Sequence, residues 1–247
     1  MKDILLDIVA HTNTLDSLNL LRVESNEEET TIECVSDDKN IIMLARTHKP
    51  ITEFKGLFGM PNLEKLNLHL KNPEYQENAT IRVVSEKRNG EDVLTHIHFE
   101  NQHGDFKNDY RLANKVLVEE KMKKVKFKGA SWLIDFNPTK SAIDRLKLMN
   151  VVHREEPKFN VFTRKNNENI DLIFSFGDAS NHAGEYVFQG NVGTELKHTW
   201  CWSVGLVGSV LTLPGDISMK ISDQGAMMIS VDSGIALYEY IMPALMN

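Results

Sequence analysis

The stretch Pro61-Asn62-Leu63-Glu64-Lys65-Leu66-Asn67-Leu68-His69-Leu70 decides how the rest of this sequence is read. Leu63, Leu66 and Leu70 recur at helical intervals, which predicts a short amphipathic helix with its leucines turned inward. Proline suits a first helical turn, where its missing N–H would have had no partner, so the helix is expected to open at Pro61. Two strands should follow, at residues 80–85 and 93–99, joined by a polar turn containing Asn89-Gly90. About 80 residues later the order recurs. Pro138 opens a second helix, and Ile143-Asp144-Arg145-Leu146-Lys147-Leu148 matches residues 63–68 class by class. Strands at 160–164 and 171–176 again follow, around the turn Lys165-Asn166-Asn167-Glu168. The echo carries weight because the elements on both sides repeat with it.

Working outward, Ile4, Leu5, Ile8 and Val9 place a helix over residues 2–11. Residues 18–48 read as strands broken by acidic turns at 26–29 and 37–40. Near the C-terminus, residues 204–213 form a short apolar helix. Strands at 216–222, 226–232 and 235–242 then make a meander. Four short helices among many antiparallel strands is an α+β pattern with helices on one face of the sheets. The expected division is a first domain at 1–112, a connector at 113–128 and a second domain at 129–247.

With 247 residues, 41% of them hydrophobic, the chain can fill two cores. Cys34 and Cys201 stand far apart and need no disulfide, which fits a reducing cytoplasm. The first residues are acidic where an export signal would be apolar, and no apolar run approaches a membrane span. The net charge of −7 argues against tight phosphate binding. Its distribution is uneven. Residues 24–38 hold Glu24, Glu27, Glu28, Glu29, Glu33, Asp37 and Asp38 with no base, whereas residues 121–128 hold five lysines and no acid.

Two similar domains, each of two strand–helix–strands units, resemble the DNA sliding clamps. The nearer likeness is to clamps of tailed phages, the more distant to proliferating cell nuclear antigen. Residues 54–70, 133–149 and 235–243 carry it, and it spans nearly the whole chain as an order of elements. The resemblance implies a head-to-tail ring of three subunits, with helices lining a central hole and sheets forming the outer wall. Double-stranded DNA would pass through the hole without its sequence being read. A replicative DNA polymerase and a clamp loader would be the partners, in the cytoplasm of a host cell if the chain is phage-encoded. Neither catalysis, cofactor nor metal is implied.

A clamp that slides needs scattered cations held off the backbone by water, not a phosphate grip. Lys65 and Lys71 on the first repeated helix, and Lys140, Arg145 and Lys147 on the second, are the DNA-facing candidates. Any solvated helix face carries such charges, so each residue alone says little. On the N-terminal helix Asp3 and Asp7 outnumber Lys2. The family's partner pocket lies between connector and C-terminal tail, which here match Val116, Leu117 and Val118, and Tyr240, Met242, Pro243 and Ala244. Met242, Leu245 and Met246 look exposed for a chain end. The tail's Pro–Ala order is reversed relative to the nuclear-antigen branch.

The enzyme alternative rests on His96 and His98, which share a strand face as metal-binding pairs do in cupin-type oxygenases. That pattern wants a carboxylate several residues beyond the second histidine, and Glu100 is too close. His103 and Asp105 complete the candidate set, and the third histidine of that pattern has no evident match. Nucleotide loops, Gly-x-Ser-x-Gly and His-Glu-x-x-His are all missing from the sequence. Trp132, Trp200 and Trp202 could stack single-stranded bases, although core packing explains alternation along a strand better. A β-rich phage structural protein is the remaining alternative.

Overall fold

A computed structural model describes residues 1–13, 15, 18–88, 90–122, 127–178 and 182–245. The chain divides into two compact units, one of Met1–Lys126 with Asp232–Tyr238, the other of Phe127–Val231 with Glu239–Asn247. The fold is α+β, with antiparallel sheets and short helices.

The first unit opens with helix α1 (Lys2–Thr12), followed by β1 (Leu20–Ser25), β2 (Thr30–Val35), β3 (Ile42–Thr47) and β4 (Gly56–Pro61). The chain continues through α2 (Leu63–Lys71), β5 (Thr80–Arg88), β6 (Glu91–Glu100), β7 (Lys107–Arg111) and α3 (Lys115–Lys121). One sheet runs β4-β1-β2-β3 and a second runs β5-β6-β7, which leaves β7 at an edge. Helix α1 buries Leu5, Ile8 and Val9 beside α2, which buries Leu63, Leu66 and Leu70. Each such side chain taken from water stabilises the unit by about 1.5–3 kcal/mol.

The second unit holds β8 (Trp132–Phe136), α4 (Lys140–Val152), β9 (Lys158–Asn166), β10 (Asn169–Phe176), β11 (Gly184–Gln189) and β12 (Trp200–Ser203). Then come α5 (Val204–Val210), β13 (Asp216–Ser222), β14 (Ala226–Asp232) and β15 (Ala236–Pro243). One sheet runs β11-β10-β9-β12, with β11 at an edge, and β15, β14, β13 and β8 are neighbours in the other. The core is aromatic. Phe174 stacks on Phe188 with centroids 4.0 Å apart, and Phe159 packs against Phe174 and Phe176.

The repeat is visible in the cap chemistry. Asn62, held in the left-handed region at φ 53°, accepts from the Lys65 N–H at 3.2 Å. Thr139 does the same for the Ala142 N–H at 3.1 Å. Both prolines therefore sit just outside their helices, and Pro61 ends β4 instead of opening α2. A proline there stops the preceding strand from running on, since it has no N–H for the ladder. Strands β7 and β11, and helix α3 within the expected connector, add to the elements read from sequence. Asn89, Lys123, Lys124, Lys126 and Met246 lie outside the described residues. Among the described residues no helix is long and apolar enough to cross a membrane.

Candidate functional site

On α2 the cap Asn62 and the residues Glu64, Lys65, Leu68 and Lys71 are exposed, and on α4 Lys140, Asp144, Arg145, Lys147 and Leu148 are. All five expected cations therefore reach solvent. Lys71 ends α2, where a cation complements the carbonyl end of the helix. Lys140 is the first residue of α4, where the helix dipole disfavours a cation. A charge kept against the local rule calls for a reason beyond the helix. Lys147 lies 3.6 Å from Asp144 one turn away, leaving α4 net basic over this face.

His69 turns partly inward, stacked on Phe99 at 5.2 Å, and burial first and Lys65 second hold its pKa below the ordinary histidine value. Asp7 is not a surface charge. Its carboxylate takes hydrogen bonds from Ser233 and Tyr238, while Lys2 is spent on the Tyr75 carbonyl at 2.9 Å. The acidic excess counted for α1 therefore shrinks to Asp3. At the end of α4, Val151 and Val152 are 73% and 66% exposed, and no sequence signal marked them.

The connector residues separate in role. Helix α3 starts on the cap Asn114, which accepts from the Leu117 N–H at 2.9 Å. Val118 is fully buried against β4, and Gly59 makes room for it: a Cβ there would meet Val118 Cγ2 at 2.7 Å. Gly59 and Ala113 exchange backbone hydrogen bonds of 2.8 Å. Val116 is exposed, and Leu117 faces an open cleft of about 480 Å³. Leu20, Val35, Pro61 and Met122 line its apolar part, and Asp37 and Lys39 its polar rim. This is a concave, mostly apolar groove of the size that takes a few side chains of a peptide.

The tail does not match its expectation. Tyr240 and Met242 are buried at 0% and 1% exposure, and the Met242 carbonyl accepts from Trp202 Nε1 at 3.1 Å. Ala244 and Leu245 go on bonding, to the carbonyls of Gly225 and Cys201, both at 2.8 Å. Of the four tail candidates Pro243 is exposed and Ala244 half-buried. Met242 is thus a core residue of the second unit, not an exposed end. Trp202, buried with it, has no face for a base, and Trp200 is covered by Gly225, whose Cβ would meet the indole at 2.7 Å.

His96 and His98 do share a face of β6, and Asp109 joins them from β7. The His98 hydrogen bond, above all, holds the Asp109 carboxyl below its usual range. Glu100 is held low chiefly by Lys107, at 2.9 Å, and then by His98. His103 is exposed in the turn after β6.

No family model and no curated protein matches the sequence. Solved structures do. The PCNA of A. fulgidus, solved with the C-terminal region of FEN-1 bound, superposes with a TM-score of 0.67 over 100% of this chain and 96% of that one, at 10% identity. PCNA from Thermococcus kodakaraensis gives 0.66 at 11% identity, covering 99% and 97%. Proliferating cellular nuclear antigen from Entamoeba histolytica gives 0.65 at 10%, covering 98% and 96%. The chain therefore has the DNA-clamp fold from end to end, and nothing in that fold supports a cupin.

Proposed function

We propose that this chain, with its DNA-clamp fold, is one subunit of a ring-shaped sliding clamp that encircles duplex DNA and holds a replicative polymerase on it. The observation that carries this reading is the end-to-end match to three PCNA structures by a chain that repeats its own helix–strands unit. The edge positions of β7 and β11 support ring closure. Among the described residues each has a neighbour on one side alone, and a β7 edge meeting the β11 edge of the next copy is a heterologous contact that closes when the rotation fits. Three two-domain chains make the ring.

In such a ring α2 and α4 face the duplex. Lys65, Lys71, Lys140, Arg145 and Lys147 supply a diffuse positive field, and their exposure to water leaves contacts loose enough to slide. The net charge of −7 then resides elsewhere, which keeps the outer surface from competing for DNA. The A. fulgidus protein was solved with a FEN-1 tail bound. By analogy we assign partner docking to the cleft under α3, with Leu117 at its wall and Val116 beside it. The polymerase and a loader are the partners, and the protein does no chemistry of its own. It acts on DNA in the cytoplasm.

Topology gives the test. Incubated with a loader, ATP and nicked circular DNA, the protein should stay bound through a high-salt wash and leave once the circle is cut. Retention on linear DNA with free ends would refute encirclement.

A further inference from the structure

His96, His98 and Asp109 bring three ligand atoms within 4.8 Å of one another in the first unit, on the face shared by β6 and the edge strand β7. We propose that they form a binding site for a divalent transition metal of the Zn²⁺ class, clamping the edge strand to its neighbour.

The hydrogen bonds around the cluster carry the argument. The Thr95 hydroxyl donates to the Val84 carbonyl at 3.2 Å, so its lone pair faces His96 Nδ1 at 2.9 Å and takes that proton. His96 Nε2 points at Asp109 Oδ1 from 3.6 Å. His98 presents Nδ1 to the same oxygen at 2.8 Å and Nε2 to Glu100 Oε2 at 3.3 Å. A cation between His96 Nε2, His98 Nδ1 and Asp109 takes the place of a proton at each inward nitrogen. It frees the His98 Nε2–H for Glu100, which Lys107 fixes at 2.9 Å. Each histidine then donates its outer nitrogen to an oxygen, the support that metal-bound imidazoles use.

The spacing fits as well. Zinc bonds of about 2.0–2.1 Å in a tetrahedron put ligand atoms about 3.3 Å apart. The observed edges of 2.8 and 3.6 Å straddle that value, and one nitrogen of each histidine lies within 4.8 Å of the other and of an Asp109 oxygen. Both histidine side chains are about 85% covered while Asp109 is 38% open, which leaves a side for water as the remaining ligand. Arg82 and Arg111 lie directly across from His98 and His96. Both are exposed, so they weaken the site without filling it.

Protein stripped with a chelator and dialysed should be titrated with ZnCl₂ by calorimetry and with CoCl₂ by visible absorption. One ion per chain is expected, with the visible bands of a low-coordinate cobalt site. His96→Gln and Asp109→Asn should each weaken it at least about tenfold. Glu100→Gln, acting through His98, should cost about tenfold or more. Melting without metal should change little in Asp109→Asn, which keeps the side chain's shape and so decides the matter if a histidine variant misfolds. Failure to take up either ion overturns the proposal. So does uptake that His96→Gln and Asp109→Asn leave unchanged, which would place the ion on other histidines. Neither outcome bears on ring formation.

Discussion

The hydroxyl of Tyr238 donates to Asp7 Oδ2 at 2.8 Å, joining residues 231 positions apart within the first unit. Ser233 Oγ donates to the same oxygen at 3.1 Å, and the His11 ring stacks on Tyr238 at 4.3 Å and 7°. Helix α1 is thereby clipped to the segment that returns from the far end of the sequence. Hydrogen bonds to a charged group are worth about 1.5–3 kcal/mol when well covered. Tyr238→Phe should lower unfolding free energy in urea by about 1.5 kcal/mol. Asp7→Ala should cost at least as much, because it takes an acceptor from the Tyr238 hydroxyl and one of two acceptors from Ser233. Equal stability of both variants and the parent would remove the clip from the account.

Replacing Lys65, Lys71, Lys140, Arg145 and Lys147 together by Glu should leave the fold intact, since exposed charges are individually worth about 0–1 kcal/mol. Lys140→Glu alone should even stabilise α4 by about 0.3–1 kcal/mol, because an anion suits a helix N-terminus. The fivefold variant should lose polymerase stimulation on primed DNA, and added salt should weaken the parent in the same direction. Full-length synthesis by the variant would take these helices off the DNA path.

Leu117 and Val118 are neighbours with opposite fates, which makes the cleft testable. Leu117→Arg should leave melting nearly unchanged yet weaken binding of the polymerase's C-terminal peptide by tenfold or more, about 1.4 kcal/mol. Removing residues 242–247 should instead destabilise the second unit, because it strands Trp202 Nε1 and uncovers the site that buried Met242 fills. Comparison with large-to-small core changes puts that cost at about 2–5 kcal/mol. A truncated protein that melts like the parent would contradict the buried tail.

Two exposed ion pairs set a pH trend. The His48 hydrogen bond, chiefly, lowers the Asp232 pKa, and the Arg164 pair lowers that of Glu185, with contacts of 2.8 and 2.5 Å. A carboxyl held low in the folded state stabilises above its unfolded value of about 4, and that contribution fades as pH falls through the lower folded value. Tm should therefore drop on acidification from pH 5 to 3. Arg164→Met should flatten the drop only slightly, solvent screening keeping each pair small. A larger acid loss in Arg164→Met than in the parent would reverse the sign assigned here.

The leucine period over residues 63–70 and its echo at 143–148 were enough to read the repeated helices, because α2 buries Leu63, Leu66 and Leu70 and α4 buries Leu146 at the place that matches Leu66. The edge strands were harder. In β7, Lys-Asn-Asp-Tyr-Arg, Tyr110 is the lone buried residue, so no alternation shows. Helix α3, at seven residues, is too short for a period to declare itself. Side-chain fate depended on partners that no local pattern holds. Asp7 looked like a surface charge because Ser233 and Tyr238 are so far along the chain, and Met242 looked exposed because Trp202 is forty residues away. The histidine pair on β6 was legible from its spacing, but its carboxylate partner arrives from the strand that the sequence concealed.

The number of chains per particle tests the ring most directly. Light scattering at micromolar concentration should give three times the 28.1 kDa chain mass, through contacts between β7 of one copy and β11 of the next. A parent protein that stays a monomer at every concentration examined would contradict the clamp.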